Sequence, residues 1–284
     1  MGKVDLHMHS CVSDGKYTPA EVVAKAAAAG LHIIALTDHD NVDGIAPALE
    51  AAKEFPQLRV IPGVEISTEE PEGEVHVLGY FIDYTNPELL EALGKSRESR
   101  EDRAQAMISK LAELGLPVEW KRVQEIAGDG SIGRPHIARA LLEKGHIATF
   151  KEAFEKYIGS GGPAYVERIK ITPTEAVELI GRAGGLAVLA HPFTAKEPEA
   201  IIARLKKSGL AGIEAYYGEY TPEQVQMLLT LAEKYDLLAT GGSDYHGLDE
   251  NAETRIGGAK VPLAAAEKLI ARAEQRAAKP ANPR

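Results

Sequence analysis

The residues able to do chemistry stand in short, separated groups. In chain order they are His7-Met8-His9, Asp14, Asp38-His39-Asp40, Glu65, His76, His191 and Asp244-Tyr245-His246. Six of the nine histidines belong to this set, with the carboxylates Asp14, Glu65 and Asp244. Imidazole mixed with carboxylate suits zinc, manganese or iron(II), and suits calcium poorly. An ion takes about three or four protein ligands. Nine candidates (His7, His9, Asp14, His39, Glu65, His76, His191, Asp244 and His246) therefore point to two or three divalent cations. A structural zinc site would need only four closed ligands, so the surplus points to catalysis. Neighbouring ions can activate water and stabilise a leaving oxygen. Three of them over three carboxylates would leave the pocket positive and able to attract a phosphate dianion, although the chain carries −10.

Alternating strands and helices must position these groups. Strands are expected at 4–7, 32–37, 59–67, 75–82, 186–190, 212–217 and 237–240. Residues i and i+2 of a strand share a face, so His7 and His9 can reach one ion, and Asp244-Tyr245-His246 repeats the spacing. Most candidates fall where strands end, the usual place for active sites in such folds. His76 begins its strand instead. The connection at 68–74 is too short for a parallel crossover, so the strand at 75–82 returns as a hairpin and brings His76 near Glu65. Thr-Pro-x-Glu/Gln starts a helix three times, at Thr18, Thr172 and Thr221. Further helices are expected at 42–55, 198–208 and 262–276, and the tail from 277 reads as frayed.

Between 87 and 165 the strand signal fades, and helical patterns appear at 88–114, 122–127, 135–144 and 151–157. The expected fold class is α/β, an incomplete barrel of about seven strands built from residues 1–86 and 166–284. A helical insertion at 87–165 covers the active site. The 44% hydrophobic content supports a sizeable core. The excess of 42 acidic over 32 basic residues argues against a protein that coats duplex DNA. A single cysteine, Cys11, excludes an intrachain disulfide, fits a reducing cytoplasm and reads as a small packed residue. No apolar run reaches membrane length and the N-terminus shows no secretory pattern, so the expectation is a cytoplasmic enzyme.

The same residues resemble the PHP (polymerase and histidinol phosphatase) family. The likeness lies in His7-x-His9, Asp14-Gly15, Thr37-Asp38-His39, Gly63-x-Glu65, His191-Pro192 and Ser243-Asp244-x-His246, which occur in the family's order. It covers most of the chain outside the insertion. The resemblance implies a distorted (β/α)7 barrel with a trinuclear site and phosphoester hydrolysis by a metal-bound water or hydroxide. On it, His7, His9, Glu65 and Asp244 hold one ion, and Glu65 bridges to a second held by His76 and His191. Asp14, His39 and His246 hold the third. The insertion, through Gly133-Arg134-Pro135-His136 and Gly162-Pro163-Ala164-Tyr165-Val166, resembles the branch acting on nucleoside 3′,5′-bisphosphates, AMP and short RNA.

Arg134, just before Pro135, is the leading candidate to grip phosphate, with a surface ion pair as the rival reading. His136 could contact substrate or donate a proton, or cap its helix. Lys16 could neutralise phosphate, or be a solvated loop lysine. Tyr216, Tyr217 and Tyr220 ring a strand end and could stack on a base, with at least one read as core. Asp38 and Asp40 either orient a ligand imidazole or cap the next helix. His32 and His146 read as structural or exposed, and the charge run at 95–103 as a solvated helix face. The expected reaction is hydrolysis of a nucleotide phosphomonoester, foremost the 3′-phosphate of a nucleoside 3′,5′-bisphosphate. AMP, short single-stranded RNA cut 5′ to 3′ and histidinol phosphate are alternatives. An amidohydrolase and a non-catalytic metal-binding module are rivals of other classes.

Overall fold

The computed structural model describes residues 4–70, 73–128, 130–167, 171–248 and 255–278. All three Thr-Pro signals start helices: α1 (Pro19–Ala28), α7 (Pro173–Arg182) and α9 (Pro222–Lys234). In each, the threonine hydroxyl accepts from the backbone N–H three residues on. The Glu or Gln there reaches back to the threonine N–H, so two orphan donors are satisfied at once.

Seven strands form one sheet in sequence order: β1 (Val4–Asp5), β2 (Ile33–Leu36), β3 (Arg59–Glu70), β4 (Gly73–Tyr80), β5 (Leu186–Leu189), β6 (Gly212–Tyr217) and β7 (Leu238–Gly242). Only β4 runs against its neighbours. The helices α2 (Ile45–Ala51), α8 (Pro198–Lys207) and α10 (Leu263–Ala277), with α1, α7 and α9, connect or flank the strands. β2 and β5 are apolar throughout and wholly buried, as expected of parallel strands covered on both faces.

The sheet curls until its first and last strands meet, giving a nearly closed barrel. Leu6 N–H donates to Gly241 O at 3.1 Å, Asp244 N–H donates to His7 O at 2.9 Å, and Met8 bridges Tyr245. A Cβ at Gly242 would collide with the His7 backbone, so the close approach requires glycine there. The buried Asp5 carboxylate bolts the seam. It accepts from Ser243 N–H (2.9 Å), Ser243 Oγ (2.6 Å) and Gly257 N–H (2.8 Å). Val4, Leu6, Leu78, Tyr80 and Val188 pack in the core cluster joined by Leu269 of α10.

The segment between β4 and β5 carries α3 (Pro87–Glu113), α4 (Trp120–Ala127), α5 (Arg134–Glu143) and α6 (Phe150–Ala153), followed by a π-helical turn at Phe154–Ile158. Met107, Leu111, Val123, Ile137 and Leu141 give it an apolar core of its own.

Three local expectations need correction. The first strand ends at Asp5, and His7 to His9 continue as extended chain pairing with β2 and β7 only through single bridges and bonds. The second helix begins at Ile45 rather than 42. The stretch at 68–74 is mostly strand, because Thr68 pairs with Val75 and Glu70 with Gly73. The frayed tail expected from 277 lies, beyond residue 278, outside the described residues. Among the described residues no helix is long and apolar enough to cross a membrane.

Asp5→Ala would leave the Ser243 and Gly257 donors buried without an acceptor. Urea unfolding should show a loss of at least about 2 kcal/mol, since each orphaned buried group costs about 1–3 kcal/mol.

Candidate metal centre

Extended chain at 7–9 sends His7 and His9 to one side and Met8 to the other, into the core beside Val22 and Ile34. The two imidazoles meet Glu65, which the long β3 carries to the rim of the barrel. Glu65 Oε2 lies 3.1 Å from His7 Nε2, 3.2 Å from His9 Nε2 and 3.2 Å from His39 Nδ1. Its Oε1 lies 2.8 Å from His76 Nδ1 and 3.0 Å from His191 Nε2. The hairpin does place His76 beside Glu65, opposite Ser67. Asp244 Oδ1 approaches His9 Nε2 at 3.0 Å and His7 Nε2 at 3.2 Å. Asp14 stands opposite, 3.3 Å from His246 Nε2 and 3.8 Å from His39 Nε2.

All nine candidates thus converge. The spacing reading of Asp244-x-His246 does not carry over, since Asp244 is left-handed with φ 55° and the two residues fall in different donor groups. Asp40 (φ 49°) and His191 (φ 25°) are also left-handed. Such conformations cost about 1–3 kcal/mol each and persist where the surroundings impose them.

The donors fit divalent cations. Three overlapping groups bring their ligand atoms within 4.8 Å of one another: His7, His9, Glu65 and Asp244; His9, Asp14, His39 and His246; and His39, Glu65 and His76. Bonds of about 2.0–2.3 Å to a shared ion require such convergence. His9 Nδ1 and Nε2, His39 Nδ1, Asp14 Oδ1 and Asp244 Oδ1 are buried with no hydrogen-bond partner. Buried polar atoms are rarely left so, and cations held through one nitrogen of His9, through His39 Nδ1 and through the Asp14 and Asp244 oxygens would satisfy most of them. Burial works to raise the carboxyls of Glu65, Asp14 and Asp244, yet the surrounding imidazoles hold all three well below the usual carboxylate range. Burial also pushes His39 down to about 3, so it is a neutral donor at pH 7.

A buried glutamate that the sequence reading passed over supports this cluster. Glu214 Oε1 lies 3.0 Å from His7 Nδ1, and its Oε2 accepts from His191 N–H at 2.7 Å. Its signal was a charged residue inside the apolar strand Gly212–Tyr217. A bulge between Glu214 and Tyr216 puts Tyr217 on the same side, and its hydroxyl donates to Asp244 Oδ2 at 2.9 Å. Of the other tyrosines, Tyr220 packs on Phe193 and Tyr217, and Tyr216 packs against the core.

Neither Asp38 nor Asp40 caps the next helix, whose N-cap is Gly44 with no side-chain bond. Asp38 accepts from Ser10 N–H, Ser10 Oγ and Ser13 Oγ, each at 2.7 Å, and so shapes the loop that carries Asp14. Asp40 accepts from Ser67 N–H at 3.1 Å and pairs with Arg100 at 2.7 Å. That pair overturns the reading of 95–103 as a solvated face. Arg100 and Arg103 turn inward, while Lys95 stays in solvent paired with Glu91. The physical reason is that α3 lies over the barrel mouth, where a buried carboxylate compensates the guanidinium. His32 and His146 lie outside the cluster, and His146 Nε2 is bound to Pro117 O.

A cavity of about 200 Å³ opens above the cluster. Asp14, His39, His76 and His246 line its floor, and Arg100, Arg103 and Arg134 its walls. Arg134 is therefore where phosphate could meet it, its guanidinium 5.7 Å from the Phe154 ring centre. His136 and Lys16 do not line this cavity. Both face a second one, as does the half-buried Cys11, which is not the packed residue expected because the loop at 10–15 leaves it at a cavity wall.

Glu214→Gln keeps the shape and removes the charge behind His7. We expect a 10–100-fold loss of metal affinity with unchanged circular dichroism, the usual size for a carboxylate supporting a ligand imidazole. Competition with a chromophoric chelator would measure it.

Residues 5–167 match the PHP domain model. The chain is 38% identical over 248 residues to a 5′-3′ exoribonuclease of Haemophilus influenzae, covering 86% of this chain and 90% of that one. It is 35% identical to a 3′,5′-nucleoside bisphosphate phosphatase of Chromobacterium violaceum, covering 88% and 89%. Among solved structures, one from Bifidobacterium adolescentis, assigned to the metal-dependent phosphoesterases, superposes with a TM-score of 0.86 at 30% identity, covering 95% and 96% of the two chains. With its motifs in order, its donors converged and its domain model matched over more than half its length, this chain belongs to the PHP domain family.

Proposed function

We propose that the chain is a metal-dependent phosphoesterase that hydrolyses a nucleotide phosphomonoester, foremost the 3′-phosphate of a nucleoside 3′,5′-bisphosphate. The observation that carries the reading is an orphaned donor cluster forming the floor of a cavity whose walls hold three arginines. His7, His9, Asp14, His39, Glu65, His76, His191, Asp244 and His246 would hold two or three divalent ions, with manganese, zinc and iron the chemically suited choices. When bound, such ions activate water and neutralise the transferring phosphoryl group.

The chain's own residues do the rest. Arg134 would bind phosphate oxygens through paired guanidinium donors. Glu214 would hold the His7 ring, and Tyr217 would fix Asp244. Burial and the Asp244 and Glu214 charges push the Tyr217 hydroxyl up, so it stays protonated and remains a donor. The helical segment at 87–165 would cover the site and exclude bulk water, which strengthens each of these contacts. The similarity to a bisphosphate phosphatase supports the 3′-phosphate reading. A second reading, 5′-3′ cleavage of short RNA, is favoured by the 38% identity to an exoribonuclease.

Phosphate release should be measured from adenosine 3′,5′-bisphosphate, AMP, histidinol phosphate and a short 5′-phosphorylated RNA, with manganese, zinc or chelator. We expect metal-dependent turnover of the bisphosphate, lowered at least 1,000-fold in His7→Ala and Asp244→Ala, as an order of magnitude for losing a catalytic ion. Metal bound without turnover of any of these would refute the nucleotide-phosphomonoester reading. Separately, Arg134→Ala should raise KM about 10–100-fold with a smaller change in kcat. That matches loss of a charge-assisted bond worth about 1.5–3 kcal/mol.

A further inference from the structure

Asp14 reaches the metal centre by a different route from the other carboxylates. Glu65 stands in a paired strand, and Asp244 is pinned at the seam by its N–H bond to His7 O. Asp14 stands on the loop at 10–17, between the extended chain of His9 and the start of α1. Asp38 holds the beginning of that loop through Ser10 and Ser13. Its end is held against the loop at 244–247, which carries His246.

The two loops bring acceptors face to face. His246 Nδ1 lies 2.8 Å from Asp244 O, a carbonyl that can only accept, so Nδ1 carries the proton. In the neutral ring Nε2 then presents a lone pair, and it faces Asp14 Oδ1 at 3.3 Å. Two acceptors held at that distance suit a cation shared between them, and His9 and His39 complete the donor group.

An aromatic ring joins the loops. The Tyr17 carbonyl closes the first loop by accepting from Cys11 N–H at 2.8 Å, and the adjacent Lys16 N–H donates to His246 O at 2.7 Å. The Tyr17 ring lies against Gly247, where a Cβ would come within 2.6 Å of Tyr17 Cε2. Gly247 also has φ 72°, so both the close approach and the backbone require glycine. The same ring is parallel to that of Tyr245, at 3° with 6.4 Å between centroids, and the Lys25 ammonium of α1 stands 3.9 Å from its centre. Tyr245 is itself fixed. It is 7% exposed, bridges Met8, and accepts from His9 N–H at 2.9 Å through its carbonyl. Tyr17 thus ties the Asp14 loop to a segment already anchored on the chain that carries His9.

We propose that Tyr17 is a positioning residue for one ion of the centre, the ion that Asp14 and His246 share. Its ring, held by Lys25 and Tyr245 and seated on Gly247, sets the separation of the two loops and with it the spacing of that donor pair. The inference rests on the metal-centre reading and goes beyond it, since one ion then depends on a contact that the others do not use. The donors gathered on Glu65 are set by β3, β4 and the seam, and keep their places when the ring is removed.

The test is manganese bound per chain, by equilibrium dialysis and atomic emission over a range of free manganese. Wild type is compared with Tyr17→Ala, Tyr17→Phe, Asp14→Asn and the double variant Tyr17→Ala/Asp14→Asn. In Tyr17→Ala we expect the Kd of one ion to rise about 10–100-fold, the usual size for losing support of a metal ligand, with the other ions unchanged. Tyr17→Phe keeps the ring and the backbone bond and should bind as wild type does. Asp14→Asn should weaken the same ion, and adding Tyr17→Ala to it should change nothing further, because two residues serving one ion are not additive. Equal binding by Tyr17→Ala and wild type, a like loss at every ion, or a full further loss in the double variant overturns the proposal. If circular dichroism shows Tyr17→Ala unfolded, Lys25→Gln takes its place, with a loss of about two- to fivefold expected at one ion alone. Unchanged binding in that variant overturns the proposal. Wild type that binds no manganese refutes the metal-centre reading itself, and the proposal with it.

Discussion

A single buried carboxylate organises this protein. The two oxygens of Glu65 lie within 3.2 Å of five imidazoles, contributed by the chain after β1, the loop after β2, the β4 strand and the turn after β5. Five such rings around one buried anion cannot all keep ordinary hydrogen bonds. The orphaned nitrogens of His9 and His39 and the orphaned oxygens of Asp14 and Asp244 follow from that crowding. Apolar packing alone would not hold so costly an assembly in place. Divalent cations would compensate the charge and satisfy lone pairs together, so binding them would stabilise the fold at this cluster.

The barrel can be understood as the scaffold that this cluster requires. β3 is long enough to carry Glu65 to the rim and to return through β4 with His76. The seam between β1 and β7 brings His7 and His9 against Asp244, and Asp5 and Gly242 make that approach possible from below. Strained backbone at Asp40, His191 and Asp244 lies at the three loops that turn toward the site. Glu214 ties two of the sectors together, since one carboxylate touches both the His7 ring and the His191 backbone.

The helical segment adds what the barrel lacks, which is a positive wall for an anionic substrate. Arg100 reaches down from α3 to Asp40, the neighbour of a candidate ligand, so the seating of the cover and the geometry of His39 share one ion pair. Local arginines and bound cations, rather than net charge, set the field that an incoming phosphate meets.

The sequence by itself determined most of the elements and named the nine side chains that the fold brings together. Three Thr-Pro caps, short apolar strands and the short link after Glu65 fix helix starts, buried strands and a hairpin through local physics: capping, burial on both faces and loop length. All nine candidate ligands were legible because histidines and carboxylates recur at strand ends. What only the tertiary structure decided depends on distance between remote segments. Glu214 looked like one acidic residue in a strand until the bulge and the seam set it against His7. The run at 95–103 looked solvated because its partner, Asp40, lies some sixty positions away in the chain. Arg134 and His136, two residues apart, serve different cavities because a helix turns about 100° per residue and the wall between the cavities stands over that turn. Local propensity has no term for any of these, since each is set by which surfaces the closed barrel and its cover bring face to face.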